Sequence, residues 1–387
     1  MRIFLLAGEP SGDKLGAALM AGLRALCPDV EFRGVGGPLM EAEGLTSLFP
    51  MSELTLAGLA EILPKYLHLR RRLNQTAEDA VAFAPDALIT VDLPEFSLRL
   101  ARQVRRRRPD QHTVHYVAPT VWAWRPGRAK KMAPDIDQVL ALLPFEPPYM
   151  EAAGMRCDFV GHPVVAERQA SPAEAAAFRA AHGIAPDTPL VLALPGSRRG
   201  EIAKLAPVFG ETLRRFIQAR PEARIVVPTV AARAGIMAAA IAGWPGAPIL
   251  LDPRDQGPDG VLAEKRAAFA AADVALAASG TVSLELAAAD TPMVIAYDGA
   301  WISRVYVQRM LLVDTVTLVN LVSETRAVPE FLASRCRPDL LAPALERVLA
   351  DPAAQIDAMR VTMERLGRGQ EAPGLRAARA VLDALPG

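Results

Sequence analysis

DVALAASGTVSLELAAADTPMVIAY, residues 273–297, reads as strand, small-residue turn, helix and second strand. Its two apolar runs are short and nearly unbroken, as in strands buried on both faces of a parallel sheet. Ser279, Gly280 and Thr281 form the turn, and Glu285 lies one turn into the helix. PLVLALPGSRRGEI, residues 189–202, has the same form, with Pro195, Gly196, Ser197, Arg198 and Arg199 at the break and Glu201 just beyond. Each stretch predicts a helix N-terminus at the carboxyl end of a parallel strand. There, unpaired N–H groups and the helix dipole attract anions. Arg198 adds a planar fork of donors suited to phosphate oxygens. Glu285 is placed to accept from vicinal hydroxyls. A phosphate clamp beside a carboxylate for ribose points to a nucleotide carrier as ligand.

The same alternation extends through the chain. RIFLLAG, DALITVD, HTVHYVAP and QVLALLP read as buried strands in the first half. PLVLALPG, ARIVVPTV, PILLD, DVALAAS and PMVIAYD do so in the second. Amphipathic runs such as DKLGAALMAGLRALC separate them. This predicts an α/β protein with two Rossmann-like doubly wound domains facing a cleft. Residues 162–188 carry Pro, Ser and Asp without a strand, so the boundary is set near 165. Domain one is expected over 1–165 and domain two over 166–351. The helical tail, about 352–387, is expected to cross back to the first domain. Ligands bind at strand carboxyl edges, so the inter-domain cleft is the expected site.

With 387 residues, 51% apolar and 22% charged, the chain is globular and large enough for two cores. Lys+Arg and Asp+Glu both number 43, which argues against a nucleic-acid partner. Three scattered cysteines give neither a zinc site nor a disulfide framework and fit a reducing compartment. No uncharged apolar run reaches membrane-spanning length, so the chain is read as soluble or lying on a membrane without crossing it.

Other motifs have two readings each. GEPSGDK (Gly8–Lys14) lacks Walker A spacing. It is either a strand-to-helix turn with Ser11 or Asp13 as N-cap, or a cleft floor in which Gly8, Ser11 and Gly12 let backbone approach a sugar. Asp92 in VDLPEF either caps a helix or serves as general base at a strand's carboxyl edge. HYVAPTVWAWRPGRAKK places Trp122 and Trp124 where they could form a rigid ligand wall; His115 is a cleft residue or a hydrogen-bonded structural histidine. Asp135 and Asp137 spell D-x-D but precede a strand, and are read as turn and capping chemistry. SELTLAGLAEILPKYLHLRRRL (52–73) is a core helix or a membrane-contacting one. In the second case Leu56, Leu59, Ile62, Leu63 and Tyr66 meet lipid and Arg70, Arg71 and Arg72 meet headgroups.

Taken in order, GEPSGD, GVGGPLM, VDLPEF, HYVAPTVWAW, LPFE, FVGHP, LPGSRRGE, ASGTVSLE and TVTLVNLV resemble the lipid-A-disaccharide synthase family over residues 1 to about 335. Leu93, Glu95, Ser97 and Val319 depart from the family's pattern, whereas Asp92 and Asn320 match it. The resemblance implies a glycosyltransferase-B fold and transfer, with inversion, of a 2,3-diacylglucosamine unit from UDP to 2,3-diacylglucosamine 1-phosphate. The implied product is the β-1′,6-linked lipid A disaccharide 1-phosphate. It implies a peripheral enzyme on the cytoplasmic face of the bacterial inner membrane, using neither metal nor cofactor. The family allows a homodimer; no interface is legible. Asp92, Arg198 and Asn320 are then the expected catalytic group. Gly196, Ser197, Arg198, Glu201, Ser279, Gly280, Thr281, Glu285 and Asn320 form the donor set. The rivals are a UDP-N-acetylglucosamine-type epimerase and a peptidoglycan-type soluble transferase on the same scaffold.

Overall fold

The computed structural model describes residues 1–54, 59–123, 125–255, 257–298 and 313–385. The chain divides into two compact units, Met1–Ala166 with Leu366–Gly387, and Glu167–Arg365. Each is built on one six-stranded parallel sheet.

In the first unit the strands are β1 (Arg2–Ala7), β2 (Glu31–Val35), β3 (Ala87–Val91), β4 (His112–Tyr116), β5 (Gln138–Ala141) and β6 (Arg156–Phe159), in the order β2-β1-β3-β4-β5-β6. Helices cover both faces, and each face has its own apolar core. β3 is buried along its whole length, which is why its sequence, ALITV, shows no polar alternation. In the second unit β7 (Leu190–Leu194), β8 (Arg224–Pro228), β9 (Ile249–Leu251), β10 (Val274–Ala278), β11 (Met293–Tyr297) and β12 (Glu330–Leu332) run in the order β12-β11-β10-β7-β8-β9. That is the Rossmann order, reversing between β7 and β10. The turns after these two strands are the two stretches that open the sequence reading.

The tail is divided between the units. The Pro373–Ala384 helix packs on the Pro10–Leu26 helix of the first unit at a crossing of small residues. A Cβ placed on Gly374 would stand 2.4 Å from the Ala18 carbonyl oxygen, and one on Gly22 would stand 2.6 Å from the Gly374 carbonyl. Gln138 Nε2 and Arg156 Nη1 add hydrogen bonds to the carbonyls of Ala380 and Asp383. The Ala353–Arg365 helix, expected with the first domain, is instead fixed within the second unit. Gln355 pairs with both backbone groups of Met293, and Thr362 and Arg365 donate to the carbonyls of Val319 and Val322. Three polar side chains that pair with backbone groups of the second unit hold it there.

Gly374→Ala is expected to lower stability by about 1–2 kcal/mol, although alanine favours helix by up to ~1 kcal/mol, because backbone must move to admit the methyl group. Chemical denaturation checks this; an unchanged or raised midpoint would remove the close crossing as a constraint.

Candidate functional site

The second unit holds a cavity of about 570 Å³ at the β7/β10 reversal. Gly196, Ser197, Arg198 and Glu201 line it from the turn after β7, and Ser279, Gly280, Thr281 and Glu285 from the turn after β10. All eight were expected as donor-side residues, and the fold brings them together. Gly196 sits at φ +105°, where any other residue is strained, and a Cβ there would meet Glu201 Oε2 at 2.7 Å. Glu201 lines the cavity with one carboxylate oxygen already engaged. Its Oε2 accepts from the N–H groups of Ser197 and Arg198, both at 3.2 Å, and so fixes the turn. By contrast, the N–H groups of Gly280 and Thr281 have no acceptor among the described residues. Arg198 leaves its side chain 86% exposed, with only a 3.5 Å contact to Glu201 Oε1. The cavity thus offers a mobile-length guanidinium and two open amides for an anion.

Toward β8 and β9 the cavity is mostly apolar, lined by Pro228, Val230, Leu251 and Pro253 with Thr229 among them, and Phe269 of the Pro258–Ala271 helix lines it too. Lys265, absent from the sequence expectations, also lines it, with Nζ 2.5 Å from Glu285 Oε2. Its helix carries no motif, so only the tertiary structure reveals the pairing. Asn320 is not in this wall. It is buried, with Nδ2 donating to Val328 O and Glu330 Oε1 and Oδ1 accepting from Val328 N. Its amide holds the 315–330 loop together.

In the first unit the sheet reverses between β1 and β3, and Gly8 and Asp92 follow these strands. Asp92 and Leu93 both occupy the left-handed region, at φ +50° and +47°. Such residues cost ~1–3 kcal/mol each and need support from their surroundings. Here Asp92 N donates to Tyr116 O at 2.9 Å, and Ser97 Oγ donates to Asp92 O at 2.6 Å. The Asp92 carboxylate makes no hydrogen bond or ion pair among the described residues. Leu93 covers Gly8 so closely that a Cβ there would lie 2.4 Å from Leu93 Cδ2.

Ser11 is exposed and Gly12 buried against β3. Asp13 is not an N-cap of its own helix, whose N-cap is Glu9. Its buried carboxylate accepts from Gly37, Leu39 and Met40 N–H at 2.9–3.0 Å, tying GEPSGD to GVGGPLM. His115 lies inside β4, with Nδ1 2.9 Å from Thr90 Oγ1; burial pushes its pKa down to about 4, so the ring is neutral at pH 7. Trp122 is buried, edge-on to Phe145, and donates its indole N–H to Glu146 Oε1 at 3.3 Å. Trp124 and Leu56 lie outside the described residues. Asp135 and Asp137 serve Arg102, and Arg105 with Thr113, as structural anchors.

The Leu59–Phe83 helix spans most of the segment expected to meet lipid, although nothing is described of the side chains of Leu59, Ile62 and Leu63. Tyr66 and Leu67 are 49% and 74% exposed. Arg70 and Arg71 are exposed. Arg72 turns instead to Glu53, through Nε at 2.7 Å and Nη2 at 2.8 Å, and stacks over Phe49. Among the described residues no helix is long and apolar enough to cross a membrane.

Two Rossmann-like units, one with a cavity at its reversal point, define a glycosyltransferase-B architecture. The fold is shared with UDP-GlcNAc 2-epimerase from Neisseria meningitidis, a structure bound to UDP-GlcNAc, at TM-score 0.65 and 10% identity, covering 100% of this chain and 99% of that one. It is also shared with the calicheamicin glycosyltransferase CalG4, at TM-score 0.55 and 16% identity, covering 99% of this chain and 97% of that one. At such identities these likenesses speak for the fold alone. A family model described as lipid-A-disaccharide synthetase matches residues 3–379. The lipid-A-disaccharide synthase of Ruegeria pomeroyi is 64% identical over 387 residues, 100% of this chain and 96% of that one. The chain belongs to the lipid-A-disaccharide synthase family, glycosyltransferases that make the lipid A disaccharide from UDP-diacylglucosamine. The epimerase reading is not favoured.

Glu146 is expected to give this fold a pH dependence. Burial raises its pKa to about 7, against the lowering effect of the Leu143, Trp122 and Leu142 N–H donors. A carboxyl raised above its unfolded value contributes most stability below pH ~4.5 and loses it as pH rises through about 7. Glu146→Gln is therefore expected to flatten the fall in stability between pH 5 and 8. Denaturant midpoints across that range measure it; parallel curves for both proteins would exclude Glu146 as the source.

Proposed function

We propose that the second unit binds the UDP-sugar donor and that the first unit activates the lipid acceptor. The observation that carries this is the cavity at the β7/β10 reversal, where Arg198, two open amides and Glu285 lie together. In this reading the diphosphate rests on the Gly280–Thr281 amides and is closed over by Arg198. The guanidinium then neutralises charge as UDP leaves, electrostatic help that grows with bond cleavage. Glu285 takes the ribose hydroxyls, and the apolar end over β8 and β9 takes the base. Glu201 shapes the turn by holding its amides, and Asn320 acts by fixing the 315–330 loop.

Asp92 is the general base in this reading. It removes the proton from the acceptor 6-hydroxyl as that oxygen attacks the anomeric carbon, the C–O bond to UDP breaks, and configuration inverts. A carboxylate without an internal partner, at a strand's carboxyl end, supports the assignment. General-base help is worth ~10²–10⁴-fold. Gly8, Ser11 and Gly12 then floor the acceptor side, with Trp122 pinned by Glu146 as part of its wall.

Diacyl substrates remain in membrane or lipid aggregates, since each buried CH₂ contributes ~0.8 kcal/mol. We place the Leu59–Phe83 helix, led by exposed Tyr66 and Leu67 with Arg70 and Arg71 beyond, against the cytoplasmic face of the inner membrane.

Asp92→Ala should cut turnover by ~10²–10⁴ with UDP affinity retained, whereas Arg198→Ala should weaken both. Steady-state assays with UDP-diacylglucosamine and diacylglucosamine 1-phosphate, beside calorimetric UDP titration, read this out. Near-normal turnover of Asp92→Ala, or unchanged UDP affinity of Arg198→Ala, rejects the respective role. Replacing Tyr66 with Ser and Leu67 with Glu should leave thermal unfolding unchanged yet reduce co-sedimentation with anionic liposomes. Equal sedimentation would refute membrane contact by this helix.

A further inference from the structure

Lys265 stands in the Pro258–Ala271 helix and Glu285 in the Val282–Ala288 helix, and both line the second-unit cavity. The ammonium lies 2.5 Å from Glu285 Oε2 and 5.2 Å from the centre of the buried Phe269 ring. Two contacts therefore restrain a side chain that otherwise has four free torsions. The pair is not a core ion pair: the side chains are 43% and 35% exposed, and such pairs add little to folding stability. What it does is orient. Glu285 Oε1 makes no hydrogen bond among the described residues, so one oxygen is committed and the other is left for a ligand.

We infer that Lys265 is a positioning residue for Glu285, and that the pair makes this pocket select a ribose over a deoxyribose nucleotide. The inference rests on the reading of the cavity as a nucleoside diphosphate site. A carboxylate accepting from a hydroxyl makes a charge-assisted hydrogen bond, stronger than a neutral one when its geometry is set in advance. A site built to bond a hydroxyl rejects the analogue that lacks it, because its own polar group is then left unpaired. Released from Lys265, Glu285 has other rotamers to populate, and the second oxygen is no longer presented in one direction. Its charge is also less compensated, which repels any diphosphate whatever the sugar. The ratio of affinities for UDP and 2′-deoxy-UDP cancels that common repulsion and isolates the orientation.

The test is calorimetric titration of the full chain, wild type, Lys265→Met, Lys265→Arg and Glu285→Ala, with UDP and with dUDP. Methionine keeps the stem over Phe269 and removes only the charge. The wild type should favour UDP by roughly tenfold or more, as expected for loss of a hydrogen bond to a charged group. Lys265→Met and Glu285→Ala should both bring the ratio to about one to three, and Lys265→Arg should restore most of it. A wild-type ratio near one overturns the inference. So does a Lys265→Met protein that keeps the wild-type ratio, including one in which both affinities fall together, the signature of a phosphate contact or of a purely structural role. A wild type that binds neither nucleotide overturns the nucleotide reading itself, and this inference with it.

Discussion

A parallel sheet whose connections leave in opposite directions from two neighbouring strands cannot close over the gap between them. The turns after β7 and β10 are held apart by this topology, and the helices they lead into diverge to opposite faces. The opening is therefore a by-product of chain connectivity rather than of particular side chains. Residues at those turns acquire a role by where the backbone leaves them. An arginine at a solvent-exposed helix start would carry no special meaning; Arg198 lines the same cavity as Gly280 and Thr281, whose amides have no acceptor among the described residues.

Carboxylates divide sharply by what already satisfies them. Asp13 accepts from three backbone N–H groups, Glu201 from two, and Glu146 from two and an indole. Each sits in a motif that resembles chemistry, yet each is fully employed in holding a turn or helix start. Asp92 and one oxygen of Glu285 are different: no internal donor claims them among the described residues. Both are part-exposed, so water can satisfy them until a ligand does. Sequence alone cannot separate these cases, because the donors to Asp13 lie 24 to 27 residues away.

Nine of the twelve strands were legible as apolar runs. The three that were not, β2, β6 and β12, all lie at sheet edges. EFRGV, RCDF and EFL are short and carry charges, as edges exposed to solvent commonly do, and so lack the apolar signal of a central strand. Of the expected donor set, the turn residues and Glu285 line one cavity, and they could be singled out because glycine, serine and arginine at a strand-to-helix break are local features. Asn320, expected in the donor set, has its amide bonded within the core, and its partners at 328 and 330 become neighbours only through the loop it closes. Lys265 gave no signal, since its meaning comes from Glu285, 20 residues on and in another helix.

The two units make the same kind of turn at different conformational cost. After β7 and β10 the positive φ values fall on Gly196 and Gly280, where the absence of a Cβ makes them inexpensive and lets a ligand approach the main chain. After β3 and β4 they fall on Asp92, Leu93 and Val117, and a β-branched residue is a genuine outlier there. Strain of ~1–3 kcal/mol at each of three positions is a large share of a typical folding free energy. Glycine at those positions would relieve it. It would also remove the carboxylate, and with it the leucine that covers Gly8. In the proposed reading a diphosphate is gripped by backbone, so the second unit can use glycine. A hydroxyl is there deprotonated by a side chain, so the first unit must keep one where the backbone resists it.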